Sequence, residues 1–208
     1  RLFPVPEVDR LLVLTAASPG ELVGAARAAA TAPILPASSV LLAPAEALGA
    51  GAALLLRLHG AEATVSAEQR KLEGHMGVSF ETLEGDRLRE VTAVVRDHAS
   101  DRPVVVRATV LPSQLAAVLD LVGAFEEAVV SFDTYRGAVR LGLQADQAPL
   151  LARFRERVEA LGGTVRFERL PEGVEAGRIA SSPSPEEVEL VERLTSVFDP
   201  ERVLWRHR

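Results

Sequence analysis

The sequence predicts an α+β fold of two ferredoxin-like βαββαβ halves that form a largely antiparallel sheet with helices on one face. Three observations lead there. Strand-like and helix-like segments recur twice in one order, strand, helix, strand, strand, helix, strand, which is the split βαβ arrangement. The strands alternate apolar and polar residues, so one sheet face is buried and the other is polar. Pro, Gly and capping residues bound the helical segments.

In the first half, about residues 11–83, Leu11 to Ala16 is an apolar run that reads as a buried strand. Ser18-Pro19-Gly20-Glu21 supplies a capping box for a helix from Glu21 to Ala30, which Pro33 and Pro36 stop. Ser38 to Ala43 and Ala52 to His59 are strands on either side of a turn at Pro44 and Gly49 to Gly51. Ala61 to His75 has helical spacing, and Val78 to Leu83 alternates as a fourth strand. Asp86 to His98 reads as a helix joining the halves. The second half, about 103–169, repeats the order. Pro103 to Val110 is a strand and Ser113 to Val122 a helix. Ala128 to Asp133 and Ala138 to Leu143 form a hairpin around Thr134 to Gly137. Asp146 caps a helix to Leu161, Gly162-Gly163 stops it, and Thr164 to Arg169 is the last strand. Residues 171–185 read as a Gly/Ser/Pro-rich surface linker. Ser184-Pro185-Glu186-Glu187 caps a closing helix from Glu186 to Phe198.

Composition narrows the function classes. The 208 residues carry 23 basic and 29 acidic side chains, a net charge of −6, and no cysteine. The acidic balance argues against a nucleic-acid partner. Disulfides, thiolate metal sites and cysteine nucleophiles are excluded, and a cytoplasmic location is compatible with that. No apolar stretch approaches the roughly 20 residues of a membrane-spanning helix. The chain opens at Arg1 rather than Met, so a preceding segment is expected.

Few residues qualify as chemistry. Gly49-Ala50-Gly51 has Leu54 where a dinucleotide fingerprint needs a third glycine, so it reads as a turn. His59, His75, His98 and His207 have no metal-ligand spacing, and no Gly-x-Ser-x-Gly elbow is present. Tyr135 and Arg136 sit in a hairpin turn, where a surface role is the better reading. The arginines form the informative set. Parity puts Arg57, Arg107, Arg140 and Arg166 on the polar sheet face, with His59 beside Arg57. They are either a solvated face or a surface that meets an anion or a second domain, since guanidinium holds a carboxylate through two parallel hydrogen bonds.

The opening Arg1-Leu2-Phe3-Pro4-Val5-Pro6 resembles the junction between the FAD-binding domain and the cap domain of vanillyl-alcohol-oxidase-type flavoproteins. Arg193-Leu194 through Phe198-Asp199-Pro200-Glu201-Arg202-Val203-Leu204 resembles that family's closing helix and Phe-Asp-Pro tail. Arg107 through Pro112-Ser113 and the Gly162-Gly163 approach to the last strand resemble the cap of glycolate oxidase FAD-binding subunits. Two departures stand out: Leu204-Trp205-Arg206-His207 replaces the family's Asn-Pro-Gly, and the Gly-rich FAD-pyrophosphate segments are absent.

The resemblance implies the following organisation. Residues 1–10 are the junction to a missing FAD-binding domain, 11–170 a cap or substrate domain, and 171–208 a linker and closing helix. It implies FAD as cofactor, not tightly bound by this chain, and a small 2-hydroxy acid such as glycolate as substrate. It implies as partners the FAD-binding domain, and a flavoprotein subunit and an iron-sulfur subunit of a glycolate oxidase complex. Arg57, His59, Arg107 and Arg140 are the expected substrate-binding residues, and no catalytic base is apparent. The competing expectation is a ferredoxin-like small-ligand-binding or regulatory module without catalysis, because fold does not fix function.

Overall fold

Val8–Ala16 (β1) begins a sheet whose strands all pair antiparallel. The computed structural model describes residues 6–174, 181 and 183–200. In chain order β1 is followed by Val23–Thr31 (α1), Ser38–Ala43 (β2), Ala52–Gly60 (β3), Glu62–Met76 (α2) and Glu81–Leu83 (β4). Gly85–Asp97 (α3) leads to the second half: Val104–Thr109 (β5), Leu115–Val122 (α4), Val129–Asp133 (β6), Ala138–Leu143 (β7), Leu151–Ala160 (α5) and Thr164–Arg169 (β8). Pro185–Phe198 (α6) closes the described chain. Each half is βαββαβ, as the sequence predicts.

The sheet order is β4-β1-β3-β2-β6-β7-β5-β8. Both halves use one internal order, and they meet where the second strand of each pairs: Val40↔Asp133 through Ala43↔Val130. Beneath this continuous sheet, Leu12, Leu41, Leu54, Leu56, Val106, Phe132 and Leu141 form the main core with Ala29 of α1, Leu72 of α2, Val118 of α4 and Val158 of α5.

The helix that joins the halves corrects an expectation. Helices were expected on one face, but α3 lies on the opposite one. Its Leu88 and Val91 pack on Leu11, Val13, Leu42, Ala53 and Leu55. The physical reason is in the strands: Leu11-Leu12-Val13 and Ala53-Leu54-Leu55-Leu56 are apolar on both faces, and a strand of that kind must be covered twice.

Helix starts also differ from expectation. Ser18 does not cap the backbone; its Oγ donates to Glu21 Oε1 at 2.8 Å, and Pro19–Leu22 forms a 3₁₀ turn before α1. Pro112–Gln114 is likewise a 3₁₀ turn before α4. Gln144, not Asp146, opens the next helical segment through a capping box with Gln147. Pro149 cannot donate a backbone hydrogen bond, so Ala145–Leu150 is 3₁₀ and α5 starts at Leu151. The strand expected from Val78 spans only Glu81–Leu83, and β1 begins three residues before the apolar run.

His98 follows α3 and sits on the joint between the halves, its Nε2 3.2 Å from the Ala43 carbonyl oxygen. Burial holds its pKa below the ordinary 6.5, against the opposing pull of the Ala43 and Val130 carbonyls. The unfolded chain therefore binds a proton more readily than the folded one. Stability should be full above pH 6.5 and decline as pH falls toward the folded value, with a slope of at most about 1.4 kcal/mol per pH unit. Urea titrations at pH 5 to 8 should resolve this slope, and His98→Gln should flatten it.

Candidate functional site

The face that carries α3 is half covered. Over β1 and β3 the helix hides it, whereas over β7, β5 and β8 Arg140 is partly exposed and Arg107, Thr109, Thr164 and Arg166 are exposed, with Val105 and Gly142 buried at the near end. Arg57, Arg107 and Arg140 share this side, as parity requires. Register then separates them.

Arg57 on β3 lies in the covered half. Its Nε and Nη2 donate to the two carboxylate oxygens of Asp9 at 2.8 and 2.5 Å, a bidentate pair. Hydrogen bonding to Arg57 is the main cause that holds the Asp9 pKa below 3.8. Asp9 stands opposite His59 in register, and His59 is exposed. Arg57, Asp9, Glu84, Arg89 and Arg96 line an open cleft of about 690 Å³ between the sheet and α3. The cleft is a zwitterionic wall whose central arginine is already compensated.

Arg140, Arg107 and Arg166 stand directly opposite one another across β7, β5 and β8. Such neighbours have Cα atoms roughly 4.5–5.5 Å apart. Arg140 is held: Nε donates to Glu168 Oε2 at 2.8 Å and Nη1 to the Arg96 carbonyl at 3.2 Å. Arg107 and Arg166 are exposed and have no ion-pair or hydrogen-bond partner among the described residues. Thr109 and Thr164, also exposed, face each other one pair further along. Two free guanidinium groups and two hydroxyls thus form an open, flat platform able to take an oxyanion.

The structure therefore brings Arg107 and Arg140 together and adds Arg166 to them. Arg57 and His59 lie apart, because β2 and β6 intervene between β3 and β7, roughly 14 Å at ordinary strand spacing. One small anion cannot reach Arg57 and Arg107 together.

Other candidates resolve into structure. Gly49 is left-handed and caps a 3₁₀ turn, and a Cβ on Gly51 would meet the Ala17 carbonyl oxygen at 1.9 Å. That corner is closed by backbone packing, which is the turn reading and leaves no cradle for a pyrophosphate. The Tyr135 hydroxyl donates to the Ala29 carbonyl at 3.2 Å, tying the hairpin to α1, while the Asp133 carboxylate accepts from the Tyr135 and Arg136 backbone N–H groups. No group of His, Asp and Glu suited to a metal ion occurs among the described residues, and no helix there is long and apolar enough to cross a membrane. His207 and the opening and closing motifs at residues 1–5 and 201–208 lie outside the described residues.

Sequence reasoning missed Arg10. Its guanidinium donates to Glu84 at 2.6 Å, Gln69 at 3.2 Å, and Glu62 and Ser66 at 3.4 Å, and its side chain is 14% exposed. Starting β1 at Leu11 hid it. The alternation Val8, Arg10, Leu12 was the available signal.

No family model matches the sequence, and no curated protein matches it. Solved structures do. Alkyldihydroxyacetonephosphate synthase, in one crystal form, matches with a TM-score of 0.55 at 12% identity, covering 96% of this chain and 44% of that one. A second crystal form gives 0.52 at 13% identity with the same coverage. FgChi7B gives 0.52 at 14% identity, covering 98% of this chain and 55% of that one. At these identities the likeness is one of fold, and the chain spans about half the length of each.

The row of like charges has a measurable cost. Opposed cations on neighbouring strands destabilise a sheet by roughly 0.2–1 kcal/mol. Arg107→Thr should stabilise the isolated chain by about that amount at low salt, and less at 1 M salt. Arg140→Thr, which breaks the bond to Glu168, should not. Paired urea titrations at two salt concentrations check this.

Proposed function

We propose that this chain is the substrate-side (cap) part of an FAD-dependent oxidoreductase that acts on a small 2-hydroxy acid, with a glycolate oxidase subunit as the specific assignment. The carrying observation is the match of nearly the whole chain to less than half of alkyldihydroxyacetonephosphate synthase, a protein of FAD-linked oxidase type. This agrees with the flavoprotein resemblance of the sequence motifs. In this reading the flavin is held by a part outside this sequence, and the cap covers it.

The chain's own contribution is to bind and orient. A 2-hydroxy acid presents a carboxylate, and Arg107 with Arg166 offers paired N–H donors whose charge no described residue compensates. Arg140, tethered to Glu168, sets the adjoining edge of the platform. Thr109 and Thr164 add hydroxyls that can hold a second oxygen of the same ligand. A flat platform gains a pocket once a second surface closes over it, which is what a flavin-binding part provides. A cytoplasmic location, a flavoprotein subunit and an iron-sulfur subunit as electron-accepting partners belong to the same assignment.

The test is the full polypeptide encoded by the gene, purified with its natural partners. A flavin absorbance spectrum and oxidation of a 2-hydroxy acid are expected. Arg107→Ala should then raise KM about 10- to 100-fold with kcat little changed, in keeping with loss of a charge-assisted bond of about 1.5–3 kcal/mol. Unchanged kinetics after single replacement of Arg107, Arg140 and Arg166 would refute the substrate-binding role. Absence of flavin from the natural assembly would refute the oxidoreductase assignment and favour a ligand-binding module.

A further inference from the structure

We infer that α6 is a docking helix, and that its occupant is the part of the longer chain that the proposed function assigns to flavin binding. The naming of that occupant rests on the proposed function; the docking surface itself does not.

The helix is well specified locally, yet its apolar side chains stay largely uncovered by the described residues. Ser184 accepts from the Glu187 N–H at 3.1 Å and Glu187 accepts from the Ser184 N–H at 2.8 Å, a complete capping box, with Pro185 at the first helical position. No residue of α6 is buried. Val188, Leu190, Val191 and Leu194 are 42–54% exposed, Val197 is 70% and Phe198 77%. An isolated 14-residue helix is marginal in water, so a stripe of six large apolar side chains implies a cover.

The shape of the stripe selects the cover. At 100° per residue those six side chains span an arc of about 180°, which also holds Glu187, engaged in the capping box, and Thr195. Glu186, Glu189, Glu192, Arg193 and Ser196 fill the rest. A pair of identical helices uses a narrow seam of two positions in seven, so half the circumference is too wide for a second copy of α6. The acidic polar side also repels a second copy. It fits an apolar groove with a basic rim on a larger body.

The solved structures point to which body. The match to alkyldihydroxyacetonephosphate synthase leaves out 4% of this chain, about 8 residues, which is fewer than the 14 of α6, so the shared fold reaches into the helix. The matched proteins have a further half of their length that this chain does not span. An apolar helix at the limit of a shared fold is best covered by that remainder.

Hydrogen–deuterium exchange tests this on the 208-residue chain and on the full encoded polypeptide. Amides from Val188 to Phe198 should exchange on the order of 100-fold more slowly in the full polypeptide, and Leu194→Glu should remove the protection. Ser196→Glu, on the polar side, should leave it intact. Equal exchange in both proteins overturns the proposal. So does concentration-dependent protection of the short chain with a dimer mass in sedimentation, because the occupant is then a second copy. Protection in a full polypeptide that carries no flavin keeps the docking helix and overturns the flavin assignment. A flavin-loaded polypeptide with α6 unprotected does the reverse.

Discussion

Everything in this molecule depends on the pairing of β2 with β6. Four residue pairs, Val40↔Asp133 to Ala43↔Val130, join the two halves into one sheet. The joint is reinforced below and beyond the strands. Thr134 N–H donates to the Ser39 carbonyl at 2.9 Å, and the buried Ser39 and Thr134 hydroxyls bond each other at 2.5 Å. A buried hydroxyl left unpaired would cost about 1–3 kcal/mol, so the two residues hold the register as well as the contact. His98 adds a ring nitrogen to the Ala43 carbonyl from the other face. With the joint closed, Leu41 and Phe132 become the middle of a single core rather than the exposed edges of two small ones.

The same joint decides what the second face can do. The α3 helix crosses from one half to the next and covers β1 and β3, where the strands are apolar on both sides. It cannot also cover β5 and β8, and there the sheet presents Arg107, Thr109, Thr164 and Arg166 to solvent. The two halves therefore have one topology but unlike outer faces. In the first, Arg57 is neutralised by Asp9. In the second, adjacent cations go uncompensated in a protein whose net charge is negative. A local arrangement that opposes stability, kept within a fold that is otherwise consistent, is where function is sought first.

The sheet's cationic row and α6 are also of unlike physical kind. The row is a polar surface that water can satisfy, and its affinity for an anion grows when water is excluded. The helix is apolar, and water penalises its exposure.

How much of this was legible in the sequence follows from what is local and what is not. Strand and helix order, the doubling of βαββαβ, the side to which each arginine points and the Ser184 capping box were all readable, because periodicity and capping act over a few residues. Strand order was not, nor the face chosen by α3, although the apolar runs at Leu11 and Leu54 signalled a sheet covered twice. The four arginines were correctly assigned to one face, but Arg57 finds Asp9, 48 positions away in the chain, and Arg107 finds Arg140 and Arg166. Such neighbours are set by register and by packing across the whole sheet, a balance of contacts between segments far apart in the chain that no local pattern encodes. By itself the sequence determined which side chains leave the core; only the tertiary structure decided which of them meet, because antiparallel pairing places residues side by side regardless of their distance along the chain.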